Sequence, residues 1–209
     1  MKKIAIFASG GGSNFKAIYE KIISGDIPAE ISIVVSNNPI CGAINFAEKN
    51  AIPKLIVNKT RYPDLDTRNI ILKQNLLKAE IDLICLAGYM KMIPKNIVDH
   101  FKNCILNIHP SLLPNFGGKG FYGMKVHESV IQSNAVESGA TVHFVDNKYD
   151  HGPIIAQKKV MILNTDNAEI LAERVLKVEH DLYPEVVKAF CENRINWESG
   201  LPKIVEYNQ

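Results

Sequence analysis

Hydrophobic positions follow two rhythms along the first hundred residues. Short, nearly continuous apolar runs occupy residues 3–9, 31–36, 54–57, 82–87 and 104–109. Between them apolar residues recur every three or four positions. Phe15, Ile18, Ile22 and Ile23 follow the first run, residues 41–50 follow the second, and 66–79, with Ile70, Ile71, Leu76 and Leu77, follows the third. Residues 94–101 form a short predicted helix that begins with a proline, a position where the missing N–H is harmless. Continuous apolar strands alternating with amphipathic helices predict an α/β fold with a parallel sheet covered on both faces.

The rhythm changes after residue 109. A long loop comes first, and within it residues 115–123 hold four glycines. A helix is predicted over 123–133. Residues 140–146 and 153–163 read as two antiparallel strands able to pair as a hairpin. Residues 167–191 form one long helical pattern through Ile170, Leu171, Val175, Leu176, Val178, Leu182, Val186, Val187 and Phe190. Pro184 falls inside it and is predicted to kink or divide the helix. With no repeat, low-complexity segment or linker, the 209 residues read as one domain. Its halves, 1–100 and 101–209, are expected to share a sheet.

Composition narrows the classes of function. At 46% hydrophobic and 22% charged residues, the chain has material for a core and no signature of disorder. Its 24 basic and 22 acidic side chains nearly cancel, which argues against nucleic acid as a partner because phosphate-backbone affinity needs clustered cations. There is no apolar stretch long enough to span a membrane, and the apolar segment 4–8 is too short for a secretory signal. Cys41, Cys85, Cys104 and Cys191 form no CxxC pair and read as reduced thiols of a cytoplasmic protein.

Ligands of open parallel sheets bind beyond the carboxyl ends of the strands. Three segments meet that rule: Gly10-Gly11-Gly12-Ser13-Asn14, Gly88-Tyr89-Met90 and Asn107-Ile108-His109-Pro110. The first opens a helix, whose free amides and positive dipole end can hold a phosphate; a tight turn that holds nothing would look the same. It lacks the last glycine of the dinucleotide fingerprint and the Lys-Ser/Thr of a Walker A loop. Asn107 and His109 alternate along one strand and so share a face, about 6.5–7 Å apart. An amide can donate to an oxyanion and an imidazole can move a proton near neutral pH, although a satisfied strand-end pair is the alternative. A carboxylate such as Asp150 beside His109 would favour the protonated ring. His143, Asp146, Asp150 and His151 lack the spacing of a metal site, and no metal is expected.

These segments carry a resemblance. Residues 9–14, 86–93, 106–114 (Leu-Asn-Ile-His-Pro-Ser-Leu-Leu-Pro), 142–146, 150–155 and 179–184 are similar to those of the glycinamide ribonucleotide formyltransferase family, along nearly the whole chain. The resemblance implies the formyltransferase fold, a Rossmann-like mostly parallel sheet with C-terminal antiparallel strands and a long C-terminal helix. It implies transfer of a formyl group from 10-formyltetrahydrofolate, the co-substrate, to the amine of 5'-phosphoribosylglycinamide in purine biosynthesis. Asn107, His109 and Asp150 would be catalytic. Gly12, Ser13, Asn14 and Glu179 would hold the phosphate and ribose. Met90, Lys91, Met92, Ile93 and Asn107 would line the folate site. The first half would then bind the nucleotide phosphate and the second would bind folate and carry the chemistry. The resemblance also implies a cis peptide at Leu113–Pro114. Partners would be small molecules, and the protein a monomer or weak homodimer.

The chain departs from the commoner family pattern in three places. Loop 115–123 is longer and richer in glycine, and its Lys119 can reach a phosphate or sit in solvent. Leu176 replaces a polar residue of some relatives, and Arg61 is the candidate for a folate-lining arginine. A formyltetrahydrofolate hydrolase would share the Asn-His-Asp chemistry but carries an N-terminal regulatory domain, for which a strand beginning at residue 3 leaves no room. Methionyl-tRNA formyltransferase needs a C-terminal module and a basic surface. A non-catalytic nucleotide-binding module would not need Asn107, His109 and Asp150 together.

Overall fold

The computed structural model describes residues 1–206. The chain forms two compact units, 1–106 and 107–209.

The first unit alternates β1 (Lys2–Phe7), α1 (Ser13–Ile23), β2 (Ala29–Ser36), α2 (Gly42–Lys49), β3 (Lys54–Ile56), α3 (Leu65–Lys78), β4 (Leu83–Leu86) and α4 (Lys95–His100). β1 lies parallel between β2 and β4, with Ile4 opposite Ile31 and Ile6 opposite Cys85, and β2 pairs parallel with β3. Residues Ile4 to Ala8 are fully buried. A central strand covered on both faces has no solvent side, which is why it reads as an unbroken apolar run. The helices bury narrower stripes: Phe15 and Ile18 on α1, Ala43, Ile44 and Ala47 on α2. On α3 the buried pair is Leu72 and Leu76, while Ile70 and Leu77, which the periodicity counted towards its apolar face, are exposed. Asp64 caps this helix by accepting from the Thr67 amide at 2.6 Å, satisfying one orphan donor of the first turn.

β5 (Ile105–His109) carries the chain into the second unit, which contains α5 (Met124–Gln132), β6 (Glu137–Phe144), β7 (Ile154–Met161), α6 (Ala168–Cys191), β8 (Ile195–Glu198) and β9 (Leu201–Ile204). β1 to β7 belong to one mostly parallel sheet of order β3-β2-β1-β4-β5-β6-β7. β6 and β7 pair antiparallel, as their sequence predicts, with a register shift between Val142 and His143.

Two expectations need correction. Pro184 does not divide the long helix, which runs unbroken for 24 residues. An interior proline costs about 3 kcal/mol, but Leu182, Tyr183, Val186 and Val187 around it are all buried. At about 1.5–3 kcal/mol for each buried side chain, their packing outweighs the lost bond. The hairpin β8–β9 is absent from the sequence reading. Its two-residue turn is Ser199-Gly200, both at positive φ, the conformation that favours this dipeptide between strands. Trp197 on β8 stacks on Phe144 with ring centroids 5.5 Å apart.

Candidate active site

In the first unit the polar groups gather where β1, β2 and β4 end. Gly12 precedes α1 at φ 74°, a left-handed conformation that glycine adopts without strain. A Cβ there would lie 2.9 Å from Cβ of Ala43, and one on Gly42 would lie 2.9 Å from the Gly11 carbonyl oxygen. The glycine loop and the start of α2 thus meet backbone to backbone, joined by the Ala43 amide donating to the Gly10 carbonyl at 3.1 Å. Ser9 knits the rim together. Its Oγ donates to Asn37 Oδ1 at 2.5 Å and accepts from the Met90 amide at 2.9 Å. Its own amide donates to the Gly88 carbonyl at 3.1 Å. Ser13 is half-buried and Asn14 buried at the first turn of α1. Met90 and Met92 are 52% and 46% exposed, large apolar side chains open to a ligand; Lys91 is exposed and Ile93 buried. Burial pushes the neighbouring Tyr89 hydroxyl up to about 12. Arg61 is exposed on the 57–64 loop, its amide donating to Asn58 Oδ1.

The second unit brings the three candidate catalytic side chains together. His109, at the end of β5, is 4% exposed. Its Nε2 donates to the Phe116 carbonyl at 2.8 Å, and its Nδ1 lies 3.5 Å from Asp150 Oδ1. Asn107 Nδ2 lies 3.4 Å from the same carboxylate oxygen and 3.1 Å from His143 Nε2. Asp150 Oδ2 accepts from the Gly118 amide at 2.9 Å. The glycine-rich loop therefore supplies a carbonyl to the imidazole and an amide to the carboxylate. Gly117 between them is closely packed: a Cβ there would meet Leu113 Cδ2 at 2.3 Å, displacing that leucine, and Asp150 Cβ at 3.2 Å. The Leu113–Pro114 peptide is cis, as the resemblance implies.

The electrostatics of this cluster are a contest. Two acceptors flank the His109 ring, one at each nitrogen, and both favour its protonated form. Burial opposes them and prevails, so His109 titrates below the ordinary histidine range. The sequence reading foresaw the help from Asp150 but not the larger cost of burying the charge. For Asp150 burial is again the largest single influence and pushes upward. The neighbouring His143 ring, the His109 charge and the Gly118 amide together outweigh it and hold the carboxyl below its usual value.

His143 and the loop backbone at Phe116 and Gly118 are the parts of this cluster that sequence reasoning did not assign to catalysis. His143 is 2% exposed, and its position two residues after Thr141 on an inward-facing stretch of β6 was the available signal. His151, by contrast, pairs with Asp146 at 2.7 Å in an exposed turn. Among the described residues no group of three His, Cys, Asp or Glu side chains is placed to hold a metal ion, and no helix is long and apolar enough to cross a membrane. Glu179 is buried midway along α6, Leu176 is half-buried one turn before it, and Lys119 is exposed at the loop tip.

The profile of the formyl transferase family matches residues 2–187. The chain is 48% identical over 204 residues to the chloroplastic phosphoribosylglycinamide formyltransferase of Vigna unguiculata, covering 97% of this chain and 65% of that protein. It is 36% identical to the phosphoribosylglycinamide formyltransferase of Haemophilus influenzae, covering 96% of this chain and 92% of that one. The solved glycinamide ribonucleotide transformylase 1 of Symbiobacterium toebii superposes with a TM-score of 0.90 at 34% identity, covering 99% and 95% of the two chains. The chain belongs to the formyl transferase family.

Proposed function

We propose that this protein transfers the formyl group of 10-formyltetrahydrofolate to the amine of 5'-phosphoribosylglycinamide. The observation that carries the reading is the buried convergence of Asn107, His109 and Asp150, together with relatives of 36–48% identity that bear the name of that activity. The substrate amine attacks the formyl carbon, and the tetrahedral intermediate carries an oxyanion. One carbon–nitrogen bond forms to the amine and one breaks to folate N10; the amine loses one proton and N10 gains one. Asn107 and His109 donate to the oxyanion, an arrangement worth about 10²–10³ in rate per donor. Asp150 favours the imidazolium that handles the proton and orders water for its transfer.

The substrate phosphate would sit on the first-turn amides of α1 at Gly12, Ser13 and Asn14, where the helix dipole favours an anion. Glu179 would hold the ribose hydroxyls, and Met90, Lys91, Met92, Ile93 and Asn107 the folate. The chemistry calls for no metal. Four free thiols suit a reducing compartment such as the cytoplasm, and the protein would act as a monomer or weak homodimer.

Purified protein should release tetrahydrofolate from 10-formyltetrahydrofolate only when phosphoribosylglycinamide is present. Release of formate without the nucleotide would instead assign the alternative, a formyltetrahydrofolate hydrolase.

A further inference from the structure

We infer that His143 is a positioning residue that fixes which end of the Asn107 amide faces the reacting centre. The ring sits just past the register shift on β6 and is almost wholly buried. Its Nδ1 lies 2.8 Å from the Phe144 carbonyl. A carbonyl can only accept, so Nδ1 carries a proton, and in the neutral ring Nε2, 3.8 Å from Asp150 Oδ1, keeps its lone pair. That lone pair faces Asn107 Nδ2 at 3.1 Å. Turning the amide over would set its carbonyl oxygen against the bare Nε2 and also against Asp150 Oδ1, which lies 3.4 Å from the same amide end. Both neighbours would then meet an acceptor with no proton between them, an unfavourable state for buried polar groups. Of the two, the shorter contact belongs to His143. The longer one, to Asp150, is the one an oxyanion can replace.

The anchor of the ring is itself held. A Cβ on Gly152 would lie 1.9 Å from the Phe144 carbonyl oxygen, so only glycine fits there. The Phe144 amide donates to the Pro153 carbonyl at 2.9 Å, and Trp197 covers the Phe144 ring. The turn after Asp150 and the β8–β9 hairpin therefore set the carbonyl, the carbonyl sets the imidazole proton, and the imidazole sets the amide. The kinetic consequence rests on the formyl transfer proposed above; the tautomer does not.

Two measurements test this. Nitrogen NMR of the histidine rings in the wild-type protein should show His143 protonated on Nδ1 and bare on Nε2 near neutral pH. His143→Leu should lower kcat for formyl transfer about 10- to 100-fold, the loss expected when one donor is misdirected, with both KM values within about threefold of wild type. His143→Gln, whose side-chain oxygen can accept from Asn107, should recover most of the rate. A ring protonated on Nε2 overturns the inference whatever the activity, and so does a His143→Leu enzyme with wild-type kcat. Wild-type protein that transfers no formyl group would overturn the assigned reaction, while a ring protonated on Nδ1 would still support the amide's orientation.

Discussion

The two polar regions of this molecule are made of different materials. The rim of the first unit is built from neutral groups: the glycine backbone, Ser9, Asn37 and the amide of Met90, each bonded to another. The cluster in the second unit is built from groups that can carry charge, His109, His143 and Asp150, all largely buried. Dipoles that find partners can be buried at little cost, whereas ionisable groups are buried only against a solvation penalty that moves their titration. The first arrangement suits holding a ligand that brings its own charge. The second suits moving protons. Substitutions in the two regions should accordingly change different observables.

The largest effect is expected in the second unit. His109→Ala and Asp150→Ala should each lower kcat about 10²–10⁴-fold, the usual range for losing a general acid–base group. Nucleotide affinity by calorimetry should stay within about threefold, because the amides proposed to bind the phosphate lie on α1. Near-normal turnover in both variants would remove the chemical roles assigned here. A large loss of nucleotide affinity with kcat intact would show instead that the charged cluster binds ligand, and the contrast between the regions would fail.

The next effect concerns stability. His127 on α5 is 5% exposed; burial first, and the nearby His109 second, bring its pKa down to about 4. An unfolded chain would bind this proton near the ordinary 6.5. Between pH 6.5 and 4 the unfolded state thus holds more protons, and stability falls as pH falls. The contribution is fully present above about pH 6.5 and amounts to at most about 3 kcal/mol. Below pH 4, at which the folded ring also charges, this contribution is gone. Denaturant midpoints measured across the window should fall steeply for the wild type and less steeply for His127→Leu. Parallel slopes would show that the ring is hydrated in the folded state.

How legible each region was follows from the same contrast. Strands β1 to β5 could be read because a strand buried on both faces leaves a continuous apolar run, and the glycine loop because a strand-to-helix turn with close backbone contacts excludes side chains. Asn107 and His109 could be placed on one face from their period-two spacing. Their union with Asp150, 43 residues from Asn107, was carried by the family resemblance, since no local pattern encodes a contact between β5 and the turn after β6. His143 was visible only through its inward-facing position on β6, two residues after Thr141; what singles it out is a tautomer set by the Phe144 carbonyl, a backbone group with no sequence signature. The proline in α6 does not divide the helix: local rules count the missing hydrogen bond and cannot count the side chains packed around it. The β8–β9 hairpin was readable in principle from Ser199-Gly200 between short alternating runs. Its value, covering Phe144 with Trp197, appears only in three dimensions.

The smallest predicted effect probes the first unit and sharpens the comparison most directly. Ser9 joins the ends of β1, β2 and β4 through a hydroxyl that donates to Asn37 and accepts from the Met90 amide. Ser9→Ala removes both bonds but leaves the backbone bond from the Ser9 amide to Gly88, so the strand ends stay in register while the segment bearing Met90 loosens. A net hydrogen bond contributes about 1 kcal/mol, so the KM for 10-formyltetrahydrofolate should rise about fivefold if Met90 to Ile93 line its site, with kcat unchanged. Nothing on this rim exchanges a proton, so the ratio of mutant to wild-type KM should be flat from pH 5 to 8. The Asp150 variants, by contrast, should change the shape of the pH–rate profile because they remove the carboxylate that raises the His109 pKa. A Ser9→Ala enzyme whose defect falls on kcat and varies with pH would place the hydroxyl in a proton path, and the neutral rim could no longer be treated as binding apparatus alone.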